Sequence, residues 1–85
     1  MKKEELVKGK WYTGYNYCND KWIFRFHHLD TKNRVWSDRG YSIKNDYYSH
    51  IIGHFEEMKD IEVADEGIIK LYYPKELIQL NYEIY

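Results

Sequence analysis

From Trp22 to Leu29 the chain reads Trp-Ile-Phe-Arg-Phe-His-His-Leu, and Trp22, Phe24, Phe26 and His28 fall on every second residue. A two-residue period in bulky aromatics is the signature of a strand with one face against a core, and it does not fit a helix. An earlier strand is expected from Val7 to Tyr17, with Trp11, Thr13, Tyr15 and Tyr17 on one face and Tyr12, Gly14 and Asn16 on the other. Three Trp, ten Tyr and three Phe among 85 residues are more aromatic surface than a chain of this size hides. Aromatic residues suit a pleated, half-buried surface, so the sequence predicts a small, mainly β domain with aromatic rings left outside.

At 85 residues one domain spans the chain. Domains of this size bury roughly 60–65% of their unfolded surface, which supports one modest core and favours a binding surface over a deep catalytic cleft. The formal net charge is −1, but residues 1–44 carry +5 and residues 45–85 carry −6. Interleaved strands would mix these charges; segregated ones would leave a basic and an acidic surface. Cys18 is the single cysteine, so an intramolecular disulfide is excluded and a reducing compartment is expected. The charged start of the chain does not read as a signal peptide, and no run approaches the length of a membrane span, so a cytoplasmic location without membrane contact is expected.

Turns are expected at Asn19-Asp20-Lys21 and at Asp30-Thr31-Lys32-Asn33, the second making a hairpin. A third strand starts near Arg34-Val35-Trp36 and resumes at Gly40-Tyr41-Ser42-Ile43. Over residues 45–58, Tyr48, Ile51, Ile52 and Phe55 follow a helical period, which predicts a short helix; an ordered loop or irregular strand is the alternative. Ile61 and Val63 alternate, Asp65-Glu66-Gly67 turns the chain, and Ile69, Leu71 and Tyr73 alternate again. Pro74-Lys75-Glu76-Leu77 suggests one 3₁₀ turn. Residues 78–85 alternate strictly and predict a last strand, whose edge admits a homodimer beside a monomer.

Asp20-Lys21-Trp22-Ile23 is similar to the Trp-bearing strand start of eukaryotic SH3 domains, and Tyr73-Pro74-Lys75-Glu76-Leu77-Ile78 to their Pro-containing 3₁₀ turn. Leu77 stands where that family has an aromatic, and its Ala-Leu-Tyr-Asp-Tyr segment is missing. The resemblance implies a five- to six-stranded SH3-like barrel with one short helix or ordered loop, and would place Trp22 and Pro74 in a groove. In style, the short aromatic-rich chain looks like accessory proteins of phages and other mobile elements, several of which block host defence enzymes by occupying a surface.

No catalytic or cofactor motif is present, so no enzyme activity is expected. His50, His54 and Glu57 would share a helix face, but they lack the Glu that follows the first His in zinc-protease helices, and no metal site is expected. Cys18 beside Asp20 is poorly placed for a thiolate. Cations interleaved with aromatics in the first half (Lys8, Lys10, Trp11, Tyr12, Tyr15, Lys21, Arg25, His27, Lys32, Arg34, Trp36, Arg39) suit single-stranded nucleic acid or a nucleotide. Tyr, Trp and Arg are equally the residues of protein interfaces. The acidic set Glu56, Glu57, Asp60, Glu62, Asp65 and Glu66 would imitate phosphates to a nucleic-acid enzyme. The favoured expectation is non-catalytic binding of a protein partner, with Trp22, Arg25, His27, Trp36, Arg39, Tyr47, Tyr48 and Pro74 as candidate binding residues.

Overall fold

The computed structural model describes residues 1–75. Among the described residues the chain is mainly β: six antiparallel strands form one open sheet accompanied by one seven-residue helix. The strands are β1 (Trp11–Tyr15), β2 (Lys21–Leu29), β3 (Arg34–Ser42), β4 (Tyr47–Tyr48), β5 (Ile51–His54) and β6 (Lys59–Val63), and the helix is α1 (Glu66–Tyr72). Their order across the sheet is β4-β3-β2-β1-β6, with β5 pairing the other half of β3. The central strands all come from the first half of the chain, and the second half supplies both flanks.

Both faces of the sheet are covered. Tyr12, Trp22, Phe24, Phe26 and Val35 form one core with Ile52 of β5 and Ile61 of β6. Ile52 and Ile61 come from opposite flanks, so the sheet curls around this core. Phe55 and Met58, on the 3₁₀ turn Phe55–Glu57 and just after it, pack on the same core as the chain crosses from β5 to β6. On the other face, Trp11 and Ile23 meet Ala64 and Ile69, which brings α1 down on the sheet. β1 is therefore buried through both of its faces, and the simple split into a core face and a solvent face fails there.

Three expected elements differ. Residues 45–58 are not a helix but β4, β5 and a 3₁₀ turn. The adjacent β-branched Ile51 and Ile52 suit a strand, and pairing with β3 buries Ile52; a helix would forfeit both. Residues 66–72 are a helix rather than a strand. The Asp65 carboxylate accepts a hydrogen bond from the Ile68 amide at 2.9 Å, capping the first turn. Ile69 and Tyr73, four apart, then reach the Trp11 side while Leu71 points to solvent. The first strand begins at Trp11 rather than Val7, because Val7–Lys10 is a turn with Gly9 at φ +86°. The hairpin at residues 30–33 is present, with Asn33 in the left-handed region that Asn tolerates. β3 runs unbroken. The strand expected over 78–85 lies outside the described residues, as does the second half of the turn expected at 74–77.

Candidate functional site

The β2–β3 pairing breaks register twice. Arg25 pairs with Arg39, then Phe26 with Ser37, then His28 with Trp36, which leaves Asp38 extra on β3 and His27 extra on β2. Each extra residue is a bulge, and a bulge puts two consecutive side chains on one face. Phe26, Leu29, Ser37 and Gly40 stay against the first core or buried, while His27 with His28 and Asp38 with Arg39 crowd the outer face. This corrects the expected alternation, which put His28 on the Phe26 face. With Trp36 and His50, these side chains line an open depression of about 350 Å³. A second hollow of about 160 Å³ adjoins it, sharing Asp38, Arg39 and His50 and reaching Tyr48 and Tyr73.

The charges around the depression are mostly tied. Arg25 donates from Nε to both Asp38 oxygens at 2.9 Å, and from Nη2 to Oδ2 at 2.6 Å. This fork holds the Asp38 carboxyl below the usual carboxylate range, through its hydrogen bonds first and its charge second. The Arg25 guanidinium also lies 5.4 Å from the centre of the Trp11 ring. Asp30 is the hub of the hairpin: it accepts from the Lys32 and Arg34 amides at 2.9 Å, from Arg34 Nε at 2.7 Å and from Trp36 Nε1 at 2.9 Å. The Trp36 bond leads, and together they hold the Asp30 carboxyl far below its ordinary value.

A carboxyl whose folded value is depressed stabilises the fold above its unfolded value, about 3.9, and loses that contribution as pH falls through the folded one. Asp30→Asn is therefore expected to lower the thermal midpoint at pH 7. The gap to wild type should narrow steadily below about pH 4. Paired melting curves between pH 7 and pH 2.5 check this; a gap constant with pH would mean the charge of Asp30 is irrelevant.

Beyond the depression lies a tyrosine surface. Tyr41 sits 4.8 Å from Tyr48 and 5.4 Å from Tyr72, and Tyr73 sits 4.8 Å from Trp11 and 6.4 Å from Tyr48, all ring centre to ring centre. Tyr47 and Tyr48 on the two-residue β4 are 51% and 67% exposed. The Tyr41 hydroxyl donates to Asp46 at 2.6 Å, which pushes its pKa up to about 12 and keeps it a phenol.

The structure thus brings His27, Trp36 and Arg39 together around the depression, with Arg25 bound to Asp38 of its lining, and sets Tyr48 in the adjoining hollow. Tyr47 is exposed on the other face of β4, its ring 5.5 Å from that of Trp22 in the first core. Trp22 itself is 2% exposed and belongs to the core, so it is not a groove residue. Pro74 is exposed just past α1. His50 lies on the bend before β5 and His54 at the end of β5, their Nδ1 atoms 3.0 and 3.3 Å from the carbonyl oxygens of Ser37 and Lys32. Among the described residues no group of three or more His, Cys, Asp or Glu is placed to hold a metal ion, and no helix is long and apolar enough to cross a membrane.

Sequence reasoning missed His28, Asp38, His50 and the pair Tyr72 and Tyr73. Spacing carried one signal: core residues step by two to Phe26 and then by three to Leu29, and buried residues by three from Ser37 to Gly40. A three-residue step inside a strand marks a bulge. Comparison with protein families, with curated proteins and with solved structures finds no match to this chain.

Proposed function

We propose that this chain is a non-catalytic binding protein that holds a protein partner through the tyrosine surface of β3, β4 and α1 and the depression beside it. The observation that carries this reading is the exposed Tyr48 backed by Tyr41, Tyr72 and Tyr73. Rigid aromatic rings beside charged residues are the composition of interface hot spots. The competing reading, single-stranded nucleic acid on the basic first half, loses part of its materials to the fold. Trp11 and Tyr12 are buried, Arg25 is engaged by Asp38, and Arg34 is engaged by Asp30. Obstruction of an enzyme surface, as a small mobile-element inhibitor in the cytoplasm would do, is the form of binding this surface suits. Edge strands that flank one core further support a small SH3-like barrel.

Tyr47→Ala combined with Tyr48→Ala is expected to lower partner affinity at least about tenfold, since interface hot spots contribute 2 kcal/mol or more. The exposed rings leave the fold intact. Capture from lysate with nuclease present, run in parallel for wild type and variant, reads this as loss of a stoichiometric protein. Equal capture by both, or capture that nuclease abolishes, would overturn the reading.

A further inference from the structure

Resting on the partner-binding reading, we propose that the depression lined by His27, His28 and His50 is a carboxylate-recognition site that takes an acidic segment of the protein partner and gains affinity as the histidines take up protons. The hydrogen bonding of the three rings makes protonation the gate. His27 Nδ1 and His28 Nδ1 are 2.7 Å apart, so one ring donates there and the other accepts. His50 Nδ1 lies 3.0 Å from the Ser37 carbonyl oxygen, which only accepts, so His50 carries its proton on Nδ1. In the neutral state, then, His50 and the donor ring of the pair each present a bare lone pair at Nε2, and only the acceptor ring presents an N–H. A lone pair repels a carboxylate. Protonating His50 and the donor ring turns both Nε2 atoms into donors, adds two positive charges, and breaks neither of the existing hydrogen bonds.

The surroundings accept that charge. From β3, the Trp36 ring stacks on His28 at 5.6 Å and 11°, and an indole face attracts a cation. Asp38, also from β3, is the acidic group in the lining, and its oxygens are engaged by Arg25 of β2. Asp30 and Arg34, near Trp36, pair with each other. The protonated depression is therefore net positive and compact, which suits one or two carboxylates. A nucleic-acid backbone needs a continuous cationic track, and Arg25 and Arg34, which would extend one, are bound to Asp38 and Asp30.

The test uses the full, untagged chain, an N-acetylated and C-amidated hexaglutamate peptide, and ring-carbon NMR signals of the histidines. At pH 6 hexaglutamate should move the His27, His28 and His50 signals saturably while leaving His54, which is outside the depression, in place. At pH 8 the affinity should fall at least about tenfold, since histidine changes charge between these values. His50→Gln and, separately, His27→Gln combined with His28→Gln should each lower the pH 6 affinity and shrink the difference between pH 6 and pH 8, with the amide spectrum of the fold retained. Absence of a ring response at pH 6, equal affinity at both pH values, or tighter binding of hexathymidylate than of hexaglutamate would overturn the proposal. If hexaglutamate fails while the Tyr47 and Tyr48 double variant still loses its partner, only the carboxylate site falls. If both fail, the partner-binding reading falls with it.

Discussion

Gly40→Ala is expected to destabilise the domain by about 3 kcal/mol, the upper part of the range for overpacking. A Cβ on residue 40 would lie 2.4 Å from the Ser49 carbonyl oxygen, 2.7 Å from Ile52 Cδ1 and 2.7 Å from Ser37 Oγ. The first is backbone, and the Ser49 amide is itself bound to the Gly40 carbonyl at 3.1 Å, so relief requires β3 to part from the segment leading into β5. Gly14→Ala is the control. Its Cβ would meet Ile61 Cγ1 at 3.1 Å and Met58 Cε at 3.3 Å, both side-chain atoms rather than backbone. That variant should stay within about 1 kcal/mol of wild type. Urea denaturation of the three proteins makes the comparison, and equal stability of the two variants would show that the approach of Ser49 to β3 is not as close as described.

Phe24→Ala is expected to cost about 3–5 kcal/mol, the usual loss for a buried phenylalanine. Phe24 is fully buried at the middle of the curled sheet, its ring 5.9 Å from that of Tyr12. At roughly 0.05–0.15 kcal/mol per residue the whole domain has only about 4–13 kcal/mol of stability. The variant should therefore melt far below wild type by circular dichroism, and at the low end of that range it should show no cooperative melt at 37 °C. Tyr12→Phe, which keeps the ring and loses the hydrogen bond that the Tyr12 hydroxyl accepts from the Val7 amide at 2.8 Å, should cost only about 1 kcal/mol. A Phe24→Ala protein as stable as Tyr12→Phe would remove this core from the centre of the account.

The contrast between these sites explains what the sequence reveals. Trp22, Phe24 and Phe26 announce a strand and its inner face because burial of one face imposes a period that nothing else produces. The hairpin at residues 30–33 is equally local, since Asp30 and Asn33 carry their turn chemistry in their own side chains. The helix α1 is harder to see. Ile69, Leu71 and Tyr73 alternate like a strand, and the deciding fact is that Trp11 and Ile23 offer a second apolar face for Ile69 to meet. The reverse happens at residues 45–58, where a helical period over Tyr48, Ile51, Ile52 and Phe55 yields to pairing with β3. Long-range partners decide both segments, and a periodicity holds no record of them.

The site follows the same division. His27, Trp36 and Arg39 can be read as surface residues from their chemistry, but their meeting depends on two extra residues, His27 and Asp38, placed nearly opposite each other in paired strands. Trp22 shows the opposite failure: its resemblance to a groove tryptophan is overruled by Gly14 and Ser42, small neighbours across β1 and β3 that let it sink into the core.

The central claim, that β4 and its neighbours are where a protein partner sits, is tested most directly by placing a photo-crosslinking phenylalanine derivative at position 48 in one protein and at position 17 in another. Tyr17 is the control because it is 70% exposed yet lies on the turn between β1 and β2, outside the ring contacts that join Tyr41, Tyr48, Tyr72 and Tyr73. The account predicts a discrete, nuclease-resistant protein adduct from position 48 and none from position 17. Adducts of the same protein from both positions, or an adduct at position 48 that nuclease removes, would contradict it.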